Sequence, residues 1–216
     1  MAPDSSISTS TNLTNHFLIA MPSLVDAFFA KSVVYLCEHS ERGALGLMIN
    51  KPSDLTLQKL FDKVELPLGR ADLKDAPVFQ GGPVQTDRGF VLHDVLTGLE
   101  HPQFAESENS PESENKPETI YASTLMIPGT ALEMTTSRDV LEALANGAGP
   151  QRVLISLGYS AWAQGQLESE IGENSWLTVE ADPKVIFETP IEQRYDKALK
   201  LLGLEAWMLS PDAGHA

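Results

Sequence analysis

Cys37 and His39 stand two residues apart in the run SVVYLCEHS, and on an extended strand that spacing puts both side chains on one face. With His93 closing a second apolar run, GFVLH, the pair could supply a thiol nucleophile with its base, or part of a weak metal site. The plainer expectation is a buried cysteine acting as a small apolar side chain and a histidine in a polar turn. Zinc wants three or four ligands at recognisable spacing, and one cysteine does not supply them, so no metal or cofactor is expected.

Ser160 is the other candidate nucleophile. Gly158-Tyr159-Ser160-Ala161-Trp162 follows an apolar run and reads as strand, turn and helix, the local shape that lifts a catalytic serine above a sheet. That elbow needs a second glycine where Trp162 stands, so Ser160 is expected to cap a helix instead. Glu168 and Glu170 do not form a carboxylate pair, because at about 100° per residue they point about 200° apart on a helix. Gln166 and Glu170 do share a face, as do Gln164 and Glu168. Gly81-Gly82-Pro83 and the Gly43 to Gly46 stretch lack the Lys-Ser or Lys-Thr of a phosphate loop and read as turns. In Asn50-Lys51-Pro52, Lys51 is one of few cations in an acidic chain and could meet a carboxylate or an anionic ligand.

The elements that must position these groups follow from hydrophobic periodicity. Strands are expected over residues 15–20, 32–38, 44–49, 78–80, 89–93, 121–127, 132–135, 152–157 and 176–179, with 152–157 central. Leu57, Leu60, Phe61 and Val64 recur at helical spacing, and Ser137 is placed to cap a helix carrying Val140, Leu141 and Leu144. Ala163, Leu167 and Ile171 mark another helical face. Thr189-Pro190-Ile191-Glu192 has the form of a capping box ahead of a helix that Gly203 ends.

In 216 residues, one core with an inserted loop is expected: a flexible tail over 1–12, a single domain over 13–216, and a mobile acidic insertion at about 101–118. Thirty acidic residues against 15 basic ones leave a formal charge of −15, a field that repels phosphate backbones and anionic membranes. Direct nucleic-acid binding and membrane insertion are therefore not expected. A lone cysteine and no secretory leader point to a soluble, cytoplasmic protein.

Four stretches, LIAMP at 18–22, SVVYLCEHSERGALGLMINKP at 32–52, FQGGP at 79–83 with RGFVLH at 88–93, and LGYSAWAQGQLESEIGENSW at 157–176, resemble the bacterial YqgE/AlgH family, UPF0301. The resemblance covers about residues 13–216. It implies an α/β fold in which a largely antiparallel sheet forms a flattened barrel with helices packed outside. The family's activity is unsettled, and its name is tied to regulation of alginate synthesis, which implies a role in transcriptional regulation. The expected function is non-enzymatic binding of a small molecule or protein, or regulation, at a pocket around Glu38, His39, Asn50, Lys51, Gly81, Gly82, Trp162, Gln166, Glu170 and Trp176. The alternative is an enzyme using Cys37 with His39, or Ser160, as nucleophile. Neither ligand, partner nor oligomeric state is legible.

Overall fold

The structure is a computed structural model that describes residues 12–96 and 120–209. Apart from Asn12, the expected tail lies outside the described residues, as do the acidic segment of about 101–118 and the Gly214-His215-Ala216 terminus.

The described chain runs β1 (His16–Ala20), β2 (Val33–Ser40), β3 (Gly43–Met48), β4 (Pro52–Thr56), α1 (Leu57–Lys63), β5 (Pro77–Gln80), β6 (Val84–Asp94), β7 (Thr124–Met126) and β8 (Leu132–Thr135). It continues through α2 (Asp139–Ala145), β9 (Val153–Ala163), α3 (Gln166–Gly172), β10 (Trp176–Glu180), α4 (Pro183–Phe187) and α5 (Arg194–Leu201). The strands lie in the order β10-β1-β2-β3-β9-β6-β8-β7, each pair antiparallel. β5 pairs parallel with β9 through Phe79 and Gln80, and β4 lies beside β5.

Strand alternation divides the core by face. Val33, Tyr35 and Cys37 of β2 join one cluster while Val34 and Leu36 join another, so a slip of one residue would exchange the two faces. On one side, β1, β2, β3, β5, β6, β8 and β9 send Phe17, Tyr35, Leu47, Phe79, Leu92, Met134 and Leu154 into one continuous cluster. On the other side the side chains separate into two clusters, one with Trp162, Leu167 and Trp176 and one with Phe61, Val91, Val140 and Ile155. Convergence on one face and divergence on the other is the geometry of a curled sheet, a half-barrel. α1 and α2 cover one convex cluster and α3 the other, while Val185, Ile186, Ala198 and Leu199 of α4 and α5 close part of the concave side.

Several local expectations are corrected. β9 does not turn into a helix at Gly158: it runs on to Ala163, with Gly158 at φ +73°, and the helix starts only after Gly165, also at positive φ. Ser137 does not cap α2: its hydroxyl lies between two acceptors, the Ala122 carbonyl and Asp139 Oδ1, and takes no backbone N–H of the helix. Thr189 does not form a capping box either. Its hydroxyl donates to the Lys184 carbonyl, and a short 3₁₀ turn over Ile191–Gln193 leads into α5. β4 and α4, which the periodicity did not mark, complete the element set.

Candidate functional site

α3 brings three of the expected site residues onto a fourth. The Glu170 carboxylate accepts Trp162 Nε1–H at 2.9 Å and Trp176 Nε1–H at 2.8 Å on Oε2, and Gln166 Nε2–H at 2.9 Å on Oε1. Both indoles are buried, edge to face with centroids 6.0 Å apart, and Phe29 closes on them at 6.1 and 5.4 Å. Satisfied indole N–H groups and packed rings make this cluster a joint between β9, α3 and β10. His39 is tied to the same helix. Its Nδ1 accepts the Leu13 N–H at 2.9 Å, so the neutral ring carries its proton on Nε2 and donates it to Glu168 Oε1 at 3.0 Å.

Cys37 and His39 do not share a face. The register between β2 and β3 shifts between Leu36 and Glu38, a β-bulge that turns Cys37 and Glu38 to the concave side and returns His39 to the convex one. Cys37 is fully buried, its thiol donates to the Tyr35 carbonyl at 3.8 Å, and burial pushes its pKa well up. His93 lies elsewhere, buried, with Nδ1 bonded to the Asp94 carbonyl at 2.7 Å and Nε2 to Thr135 Oγ1 at 2.9 Å. Ser160 is buried in mid-strand, and its hydroxyl donates to the Gly81 carbonyl at 3.1 Å. Among the described residues, no group of three or more His, Cys, Asp or Glu side chains is placed to hold a metal ion.

Asn50, Lys51, Gly81 and Gly82 meet at a different place, where β3, β5 and β9 join. Asn50 Oδ1 accepts the Val33 N–H at 2.8 Å, and its Nδ2 donates to the Lys31 carbonyl at 2.9 Å. Lys51 Nζ donates to the Ala30 carbonyl at 2.6 Å, and burial, with Lys31 nearby, draws its pKa below the ordinary value. A Cβ on Gly81 would lie 2.1 Å from the Gly158 carbonyl oxygen, and one on Gly82 would lie 2.2 Å from Tyr159. These glycines serve close backbone approach.

Glu38, of the expected set, lines an open hollow. Between the bulged end of β2 and the edge strand β7, a part of the concave face that α4 and α5 leave uncovered forms an open groove of about 350 Å³. Its floor is Leu45, Phe90, Leu125, Met134 and Tyr159, and Glu38, Gln85, Arg88, Thr124 and Thr136 stand around it. Two departures from regular strand shape build its rim. The β2 bulge turns Glu38 inward, and β6 leaves its pairing with β9 between Val84 and Gly89, with Gln85 at φ +48°, so that residues 85–88 loop out opposite Gly158. Arg88 then donates from Nη2 to Thr136 Oγ1 at 3.0 Å, its guanidinium carbon 5.9 Å from the Phe90 ring centroid. A second hollow of about 280 Å³ lies under α1 and α2, lined by Leu60, Val64, Leu141, Ile155 and Leu157, and its Arg138 is already paired with Glu142 at 3.1 Å.

Residues 17–207 match the family model described as AlgH-like. A UPF0301 protein of Polaromonas sp. (strain JS666 / ATCC BAA-500) is 67% identical over 216 residues, covering 100% of each chain. The chain belongs to the AlgH-like family, UPF0301. Another UPF0301 protein, from Variovorax paradoxus (strain S110), is 68% identical over 206 residues, 95% of this chain and 96% of its own. The solution structure of the AlgH protein from Pseudomonas aeruginosa superposes with a TM-score of 0.68 at 43% identity over 100% of both chains. A crystal structure of a Corynebacterium diphtheriae protein, at TM-score 0.62 and 18% identity over 87% of this chain and 86% of that one, shares the fold.

The rim and floor of this AlgH-like groove went largely unmarked in the sequence. Arg88 and Phe90 lie in the RGFVLH stretch, where the polar run QTDR before it signalled that β6 leaves its partner. Tyr159 was read as part of a turn, and β9 in fact carries it onto the concave face.

Proposed function

We propose that this AlgH-like protein is a non-enzymatic binding protein, and that the open end of its half-barrel is the binding site. The observation that carries this is an apolar floor of Leu45, Phe90, Leu125, Met134 and Tyr159 on the concave face, open among the described residues and ringed by charged and hydroxyl side chains. Ligand sites favour the mouths of curled sheets, where an apolar floor supplies affinity and a few polar groups supply orientation. The environments of the candidate nucleophiles support binding over catalysis. Cys37 and His39 face opposite sides of the sheet, and Ser160 bonds a backbone carbonyl rather than a base.

Any regulatory role, including a link to transcription, would then run through ligand or partner binding rather than contact with duplex. A reducing, cytoplasmic home fits the single buried thiol of Cys37. Among the described residues no helix is long and apolar enough to cross a membrane.

The test is a fragment screen read by amide and methyl NMR shifts, with Leu125→Trp as the groove-filling variant. Leu125 is the half-buried part of the floor that edge strand β7 contributes, so an indole there occupies the hollow while leaving the deep core intact. Fragments are expected to shift resonances of Leu45, Phe90, Met134 and Tyr159, and to lose that effect in the variant. A screen in which no fragment perturbs these residues sinks the proposal.

A further inference from the structure

We infer that the groove takes an amphipathic monocarboxylate, its head group held by Arg88 and its apolar body laid on Phe90, Tyr159, Met134 and Leu125. This rests on the groove being the binding site and adds the class of ligand. It comes from how the arginines of a strongly acidic chain are spent. Arg42, Arg70, Arg138 and Arg152 each pair with a carboxylate, at 3.5, 2.6, 3.1 and 2.6 Å. Arg194 is buried against the carbonyls of Ile49 and Thr189, stacked 5.1 Å from the Phe79 ring centroid. Arg88, like Arg194, has no carboxylate partner among the described residues, but unlike the buried Arg194 it stands exposed at the groove, in a chain of formal charge −15.

Its posture is set rather than loose. One Nη2–H is taken by Thr136 and the guanidinium stands over the Phe90 ring, which leaves the remaining donors of a planar fork above the floor. The Thr136 and Thr124 hydroxyls beside it are acceptors toward a ligand, because Thr136 Oγ1 donates to the Ser123 carbonyl and Thr124 Oγ1 to the Tyr121 carbonyl. Arg88 is the charged donor in this lining. Glu38 stands on the same rim, bound on one side by Arg42 at 3.5 Å. It repels a second negative group, so the arrangement favours one carboxylate over a dicarboxylate or a phosphate dianion. The floor selects the rest of the molecule, and about 350 Å³ accommodates a short alkyl or aromatic body.

Octanoate, octanol, octylamine and suberate, below any micellar range, make the probe series: one apolar body, four head-group states. Binding is read by NMR titration of the full chain, for the wild type and for Arg88→Gln, Arg88→Lys and Glu38→Gln. Octanoate is expected to shift groove residues and to bind about tenfold more tightly than octanol, the worth of one charge-assisted contact. Suberate should bind more weakly than octanoate in the wild type and gain in Glu38→Gln. Arg88→Gln should cost octanoate about tenfold and leave octanol unchanged, with Arg88→Lys between, since the ammonium keeps charge but loses the fork. An unchanged amide spectrum away from the groove confirms that each variant is folded. If octanol or octylamine binds as tightly as octanoate, or if Arg88→Gln binds octanoate as the wild type does, the ligand class is wrong while the groove survives. If neither these probes nor the broad fragment set perturbs the groove, the binding site itself is wrong.

Discussion

Glu170 holds two buried indole N–H groups and the Gln166 amide on one carboxylate, so its removal orphans donors rather than merely deleting a contact. An unsatisfied buried donor costs about 1–3 kcal/mol, and two of them set the expected loss for Glu170→Ala at about 2–6 kcal/mol. Urea unfolding followed by tryptophan fluorescence measures it, and a midpoint equal to wild type would refute the role. His93 makes a pH prediction of definite sign. Burial lowers its pKa below 6.5, so the unfolded chain binds the proton more readily than the native one. Its contribution is therefore present above about pH 6.5 and is lost as pH falls toward the lowered native value. Buried Glu133, across the strand pair from His93, is shifted up by burial and acts in the opposite sense, so the comparison must be with His93→Gln. The drop in urea midpoint between pH 7 and pH 5 is expected to be smaller in that variant, and an equal or larger drop would contradict it. Of these residues, Gln166 and Glu170 are legible together because helical spacing aligns them, whereas Trp162 and Trp176 reach them from the strands β9 and β10.

Gly158 shows what the elements demand of single positions. It sits at φ +73° in β9, and a Cβ there would lie 2.6 Å from the Gly82 carbonyl oxygen and 2.9 Å from that of Val84. Strain at a positive φ costs about 1–3 kcal/mol and the backbone clash adds to it, so Gly158→Ala is expected to lose about 3 kcal/mol or more. Because residues 85–88 loop out over this glycine, the variant should also disturb the Arg88 rim. Calorimetry and the amide shifts of Phe90 and Tyr159 read the two effects, and a wild-type melting temperature would refute both. The alternation of β1, β2 and β3 is readable because each strand buries opposite faces in different clusters. The strand-turn-helix read at Gly158 failed because a glycine at positive φ fits a turn and a bulge equally, and only the neighbouring β5 and β6 chains distinguish them. The same holds for Cys37 and His39, whose two-residue spacing implies one face only while the strand has no bulge.

Across the whole molecule, charge makes a prediction that does not depend on any site. At a formal charge of −15, duplex DNA should be repelled, and no retention on it is expected at low salt. Binding that weakens steeply with added salt would show a basic surface the formal charge conceals. The polar stretches expected to meet in one pocket instead occupy three places: a joint of β9, α3 and β10, a seam of β3, β5 and β9, and Glu38 at the groove. Composition, strand alternation and the family motifs determined the acidic character, most of the strands and the α/β class, because these depend on residue type and near-neighbour spacing. Which side of the sheet each polar group faces, and where an apolar floor is left open, was decided by the fold alone. Two bulges and the docking of α4 and α5 settle those facts, and each depends on strands and helices far apart in the chain.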